Sequence, residues 1–363
     1  MQGEQNRHRY AGSTTHICVA HDPRDVALSM DRHLDNALLA ARERAAAIDG
    51  VELRPLPPSS PRSEARSERT NFDVMPTTTV DGLTLAYEIV GDTGRPWIIT
   101  PGGRFSKEDP GIPELAQAIA AQGNRVVIWD RPNCGASDVC FEGASESEMQ
   151  ADYLAALLRH LDLGPTIVMG GSGGARVSMI AVANHPDIAA GLAVLWISGG
   201  IYGLMTLANF YCAPSLCAAW TKGMDAVAEL PDWEEVIRRT PANRSRILGQ
   251  DRATFVSTME RWMAAYYPKP DEPVPGFDDE QARSITVPAL VFRSGVSDCW
   301  HTRETSEVVA RMIPTARLAE PPWPDTEWIE GMARRAAGEQ QGAFDRWPLL
   351  APQLLEWSRR EVG

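Results

Sequence analysis

Lysine is almost missing from this chain. Of its 35 basic residues only Lys107, Lys222 and Lys269 are lysines, and the rest are arginines. Basic residues are also outnumbered, 35 against 48 acidic, and the formal net charge is −13. Such a chain lacks the basic footprint that non-specific nucleic-acid binding requires. It is equally ill-suited to an anionic membrane surface. No apolar run reaches the roughly 18 residues of a membrane span. The opening MQGEQNRHRY is too polar to read as a secretory signal. The six cysteines form no CxxC pair and no Cys/His group with zinc spacing. These absences point to a cytoplasmic protein with free thiols, no metal, no nucleic-acid partner and no membrane partner. The oligomeric state is left open. What remains is ordinary: 363 residues, 44% hydrophobic and 23% charged, enough for one large α/β domain with a decoration or for two small domains.

The pattern changes near residue 75. Residues 52–70, ELRPLPPSSPRSEARSERT, have the Pro, Ser and charge content of a linker. Residues 1–74 therefore read as an extension and residues 75–363 as the main domain. Within the extension Val26, Met30, Leu34, Leu38, Ala41, Ala45 and Ile48 recur at helical spacing. The segment HICVAHDPRDVALSMDRHLDNA, residues 16–37, resembles the part of sulfotransferases that holds the 3′-phosphate of the sulfonate donor. That resemblance implies a basic residue and a serine eight positions later. Ser29 matches the serine, and His21 stands at the basic position. Without a glycine-containing phosphate loop upstream, the segment reads as a fragment or fusion remnant.

From Met75 onward, strands and helices alternate. TTTVDGLTLAYEIVG (77–91) reads as a hairpin turning at Asp81-Gly82. Strands follow at 96–102, 125–130, 166–170, 191–197, 288–295 and 316–320. Helices are expected at 112–122, from a capping box at Ser145-x-x-Glu148 to about 163, and at 174–185, 303–313 and 347–360. Residues 200–275 are helical without strands. This order implies a mostly parallel, doubly wound sheet with a helical insertion between strands six and seven.

The strongest motif is Gly170-Gly171-Ser172-Gly173-Gly174, a GxSxG that follows an apolar strand and opens a helix. A sharp turn there presents a serine hydroxyl at a helix N-terminus, and small neighbours let strand and helix pass closely. Walker and dinucleotide patterns both fail at this position. With this motif in its context, residues 75–363 resemble the α/β-hydrolase superfamily. TPGGR (100–104) is similar to the family's oxyanion loop, with Pro101 where a histidine is usual. WDRPNCGASD (129–138) resembles the turn after the fourth strand, to which no chemistry is assigned. The resemblance implies an α/β-hydrolase fold with its cap at about 200–275. It implies Ser172 as nucleophile, the N–H groups of Gly103 and Gly173 as oxyanion donors, and Asp298 in FRSGVSD (292–298) as the acid.

A serine nucleophile needs an imidazole between itself and the acid. The family carries that histidine after the last strand. Neither PPWPDTEW (321–328) nor QGAFDRW (341–347) has one, and Ala343 stands where Gly-His is expected. Of the seven histidines, His8, His16, His21 and His33 lie in the extension, and His160 and His185 sit at helix ends. His301, three residues after Asp298, is the remaining candidate base. Asp325, Glu327 and Asp345 are carboxylates in the late loops that would be weaker substitutes.

The helical insertion is rich in Trp, Tyr and Met, among them Tyr211, Trp220 and Tyr266, which are expected to bind substrate. Glu229, Glu234 and Glu235 are acidic groups there that would suit an amine. The expectation is a serine hydrolase acting on an ester, or a related acyl or carbon–carbon bond, in a small apolar molecule. No cofactor is implied. Two other readings follow from the missing late histidine: a ligand-binding homologue without activity, and a cofactor-free lyase.

Overall fold

The computed structural model describes residues 76–270, 272–337 and 342–363. The extension, with its expected helix and its sulfotransferase-like segment, lies outside the described residues. The hairpin forms as expected: β1 (Thr77–Val80) pairs antiparallel with β2 (Leu83–Val90), and Asp81 and Gly82 take positive φ at the turn. The rest of the sheet follows in β3 (Arg95–Thr100), β4 (Asn124–Trp129), β5 (Thr166–Gly171), β6 (Ala189–Leu195), β7 (Ala289–Phe292) and β8 (Ala316–Ala319). The order across the eight-stranded sheet is β1-β2-β4-β3-β5-β6-β7-β8. Every pairing from β4 onward to β8 is parallel, and β2 joins β4 antiparallel. This is the α/β-hydrolase arrangement.

The strands alternate sides, as the period of two requires. Trp97 and Ile99 of β3, Val126 and Ile128 of β4, and Ile167 and Met169 of β5 face one core. Ile98, Val127, Trp129 and Val168 face the other. The first core is closed by α1 (Ile112–Ala120) and by the C-terminal helix α13 (Ala351–Trp357), through Leu115, Ile119, Leu354 and Trp357. The second is closed by α2 (Glu146–His160) and α3 (Gly173–Asn184). Ser145 caps α2 by accepting from the Glu148 N–H at 3.1 Å, the capping position read from the sequence.

Between β6 and β7 the chain forms α4 (Ile201–Tyr211), α5 (Ala213–Lys222), α6 (Met224–Ala228), α7 (Pro231–Arg239), α8 (Ala242–Leu248), α9 (Arg252–Ala264) and α10 (Asp279–Ser284). Helix α11 (Arg303–Met312) follows β7. One further helix, α12 (Glu327–Ala336), occupies a stretch read as late loop. Its Pro-rich entry PPWP and the internal Gly331 hide an amphipathic pattern. The last helix is also more divided than expected. A 3₁₀ turn (Trp347–Leu350) leads into α13, and a π turn (Ser358–Val362) ends the chain. No helix of the described residues is long and apolar enough to cross a membrane.

Asn243 of α8 ties the helical insertion to the loop after β4. It is fully buried, its Oδ1 accepts from Val139 N–H at 2.9 Å, and its Nδ2 donates to the carbonyls of Ser137 and Val236. Buried backbone groups left without partners are costly. Replacing Asn243 by Ala should lower the unfolding free energy by about 2–4 kcal/mol. Denaturant unfolding measures this, and a loss under half a kcal/mol would contradict it.

Candidate active site

The turn between β5 and α3 is built on strain. Ser172 has φ 56° and ψ −122°, a backbone conformation that a side chain disfavours by about 1–3 kcal/mol. Its N–H is fixed by Leu195 O at 3.2 Å. The glycines around it are required by space. A Cβ on Gly170 would overlap Gly174 O, and a Cβ on Gly174 would overlap Thr100 O. A Cβ on Gly102 would sit 2.5 Å from the Ser172 Cβ. Strand β3, strand β5 and the start of α3 are thus in backbone contact, and Ser172 is carried to the carboxyl edge of the sheet.

Opposite the serine, the segment after β7 makes a compact turn around one carboxylate. Asp298 Oδ1 accepts from the N–H groups of Trp300 (3.0 Å) and His301 (2.9 Å). Its Oδ2 meets His301 Nδ1 at 2.9 Å. Both side chains are 1% exposed. Helix α11 is capped by Thr302, whose hydroxyl accepts from Thr305 N–H. An ionised carboxylate only accepts, so Nδ1 bears the imidazole proton and Nε2 presents its lone pair. That Nε2 lies 2.8 Å from Ser172 Oγ. The three groups Ser172, His301 and Asp298 form one line of hydrogen bonds.

Where a histidine was sought after the last strand, aromatic residues stand instead. Trp328 of α12 meets the His301 ring edge-on, with centroids 4.8 Å apart. Trp196, at φ 48°, stacks on the same ring at 6.2 Å. Trp196 also contacts Trp323, Phe344 and Trp347. The imidazole is held on two sides by rings that cannot titrate. Of the late carboxylates, Asp325 pairs with Arg303, and Glu327 pairs with Arg334 (2.9 Å) and Arg346 (3.0 Å). His160 bonds Thr78 Oγ1, and His185 bonds Asp152 at 2.8 Å, both away from the serine.

The third wall of the site was only partly foreseen. A Cβ placed on Gly173 would have three near neighbours: Arg131 Nη1 at 3.4 Å, Gly103 N at 3.5 Å and Tyr211 OH at 3.5 Å. Gly103 is thus brought beside Gly173, at φ 56°. Arg131 fixes that loop by donating to the carbonyls of Gly102 (3.2 Å) and Gly103 (2.6 Å). Asp130 anchors it from behind, accepting from the N–H groups of Lys107 (2.7 Å) and Ala136 (2.8 Å). Arg104 pairs with Glu146 and lies over the rings of Tyr211 (5.0 Å) and Trp233 (5.2 Å). Burial pushes the Tyr211 phenol up, against the pull of Arg176, Arg131 and Arg104. Burial likewise raises the Asp232 carboxyl.

Tyr211 and Tyr266 stack at 6.0 Å. Trp220 does not join them: it is 62% exposed on α5, and its carbonyl accepts from Arg252. Its helical position read as inward, but the buried side of α5 is the one carrying Ser215 and Ala219. Glu234 is exposed, and Glu235 is paired with Arg238 and Arg239. The apolar aromatic wall expected from the insertion is instead mixed, with guanidinium groups threaded between rings. Arg104, Arg131 and Arg176 belong to this wall without being among the expected site residues. For Arg176 a signal was available: it stands four residues after Ser172 in an otherwise apolar helix start. Among the described residues no His, Cys, Asp and Glu side chains gather in threes as a metal site would need.

Residues 102–267 match the family described as alpha/beta hydrolase fold. The matched stretch includes Gly103 and Ser172 and ends before Asp298 and His301. A comparison with curated proteins finds no match. Among solved structures, the chain is similar to the enol-lactonase from Burkholderia xenovorans LB400, with 23% identity over 72% of this chain and 97% of the other and a TM-score of 0.44. It is similar to an esterase from Thermogutta terrifontis at 22% identity, over 72% and 98% of the two chains, with a TM-score of 0.44. A third is Est816, an N-acyl homoserine lactone degrading enzyme, at 21% identity over 71% and 99%, with a TM-score of 0.44.

The close approach at Gly174 is between backbone atoms and cannot be relieved by a rotamer change. Gly174→Ala should therefore destabilise the domain by more than about 4 kcal/mol. Soluble protein with an unchanged melting temperature would refute the packing described here. Sheet order, elbow and matched stretch together identify the described domain as one of the α/β-hydrolase fold.

Proposed function

We propose that this domain is a serine hydrolase of esters or related acyl or carbon–carbon bonds. The observation that carries the reading is the hydrogen-bonded line from Ser172 through His301 to Asp298. Ser172 Oγ attacks the substrate carbonyl while His301 Nε2 takes its proton. Asp298 holds the ring and stabilises the imidazolium. The new oxyanion lies toward the N–H groups of Gly103 and Gly173, at the positive end of α3. The intermediate collapses, the bond to the leaving group breaks, and His301 returns its proton to that group. A water then attacks the acyl-enzyme and gives its proton to His301. The bond to Ser172 breaks, and the serine recovers its proton. One water is consumed, and an acid and an alcohol leave. The helices α4 to α9 act as the cap, with Tyr211 and Tyr266 on its inner side.

A ligand-binding homologue without activity would follow from the missing late histidine, and the 2.8 Å approach of His301 Nε2 to Ser172 Oγ favours the hydrolase instead. The lyase reading uses the same base without an acyl-enzyme, so serine chemistry separates the two. A fluorophosphonate probe should label Ser172 in the folded protein, as read by peptide mass spectrometry, and Ser172→Ala should abolish labelling. His301→Ala and Asp298→Asn should each lower kcat for a p-nitrophenyl ester by about 10⁴-fold. No labelling of Ser172 would end the serine-hydrolase reading, and turnover surviving in Ser172→Ala would favour the lyase. Removing residues 1–74 should leave the melting temperature and kcat within about twofold, and a collapse of either would place the domain boundary elsewhere.

A further inference from the structure

Arg176 is a buried cation without a buried anion. It lies in the first turn of α3, four residues after Ser172. It is 2% exposed. Its Nε donates to Ser147 Oγ (3.3 Å), Nη1 to Ser198 Oγ (2.7 Å) and Nη2 to Tyr266 OH (2.9 Å). Its guanidinium also lies 5.2 Å from the Tyr266 ring centre. Every one of these partners is neutral. Among the described residues no carboxylate stands within ion-pair distance of it. Arg131, 3% exposed, is in the same position: its partners are the carbonyls of Gly102 and Gly103 and the Gln150 Oε1.

The carboxylates on this side are already engaged or weakened. Glu146 is taken by Arg104 and by Asn133 Nδ2 at 2.9 Å. Asp232 is biased by burial toward its neutral form. A guanidinium cannot shed its proton to escape the cost of burial. The cost falls only when an anion arrives. Tyr266, a neutral partner of Arg176, stacks on Tyr211, and the Tyr211 OH lies with Arg131 Nη1 and Gly103 N within 3.5 Å of the position a Cβ on Gly173 would take. Gly173 directly follows Ser172.

We propose that the acyl part of the substrate carries a carboxylate, received by Arg176 and Arg131. The substrate class is thus a half-ester or carboxylated lactone derived from a short dicarboxylic acid, with the two carbonyl carbons a few bonds apart. This deepens the serine-hydrolase reading and rests on it for the reaction, which is unchanged. It also replaces the apolar small molecule expected from the sequence. Ser147, Ser198 and Tyr266 are the residues that aim the guanidinium.

The test uses the full-length protein with two p-nitrophenyl esters of equal chain length, the glutarate half-ester and the neutral pentanoate, each corrected for spontaneous hydrolysis. The kcat/KM ratio of anionic to neutral ester should exceed ten. It should fall at least tenfold in Arg176→Gln and recover in part in Arg176→Lys. Glutarate should inhibit and raise the melting temperature of the wild type more than glutaramide does. These wild-type comparisons decide the matter even if the variant does not fold. A ratio of one or less, with glutarate no better than glutaramide, overturns the proposal while leaving the hydrolase reading intact. If neither ester is cleaved and Ser172 is not labelled, but glutarate still stabilises the protein more than glutaramide, the anion site stands and the hydrolase reading falls. If glutarate does nothing as well, both fall.

Discussion

The Asp298 carboxylate accepts hydrogen bonds from the backbone of Trp300, the backbone of His301 and the ring of His301, all within three residues of itself. Two of these bonds shape the turn, and the third orients the imidazole. A single side chain therefore both closes the turn and orients the imidazole. Thr302 takes over the cap of α11 and leaves the carboxylate to this task. Because the turn springs from β7, a parallel strand with neighbours on both sides, its base is held in the sheet. The 2.8 Å separation of His301 Nε2 from Ser172 Oγ then depends on how β7 and β5 are spaced across β6.

The serine's half of the site depends on crowding. The strained Ser172 backbone is stable only because the surroundings over-determine it. Gly102, Gly170 and Gly174 let three backbone segments touch, and the parallel core of Ile98, Ile99, Val168 and Met169 holds those segments together. The fold invests packing energy spread over dozens of residues in one unfavourable pair of dihedral angles. A looser core would relax the turn before it unfolded the domain.

Much of this was legible in the sequence, for identifiable reasons. The strands are short apolar runs bounded by turns, and Gly-x-Ser-x-Gly between a strand and a helix has one steric meaning. His301 could be isolated because the other six histidines lay in the extension or at helix ends. Its distance to Ser172 could not be read, since residues 129 apart meet only through the sheet order. Trp220 misled because an aromatic on a helix looks the same whether it faces in or out. Arg131 and Arg176 were passed over because arginine usually means surface. Their burial follows from oxygen partners contributed by four separate segments, which no local pattern reveals. Helix α12 was hidden by the prolines at its start.

Trp323, Trp328, Phe344 and Trp347 occupy the stretch after β8, and the imidazole stands three residues from its carboxylate. That placement changes what can go wrong. When base and acid sit on separate loops, motion of either loop breaks their mutual contact. On one turn they travel as a rigid pair, and the spacing between them survives any displacement of the loop. The only joint left in the relay is the gap between the turn and the elbow. Trp196 and Trp328 pack against the His301 ring on two sides, so the alignment of that one gap is set by how the turn and its tryptophans are seated on the sheet.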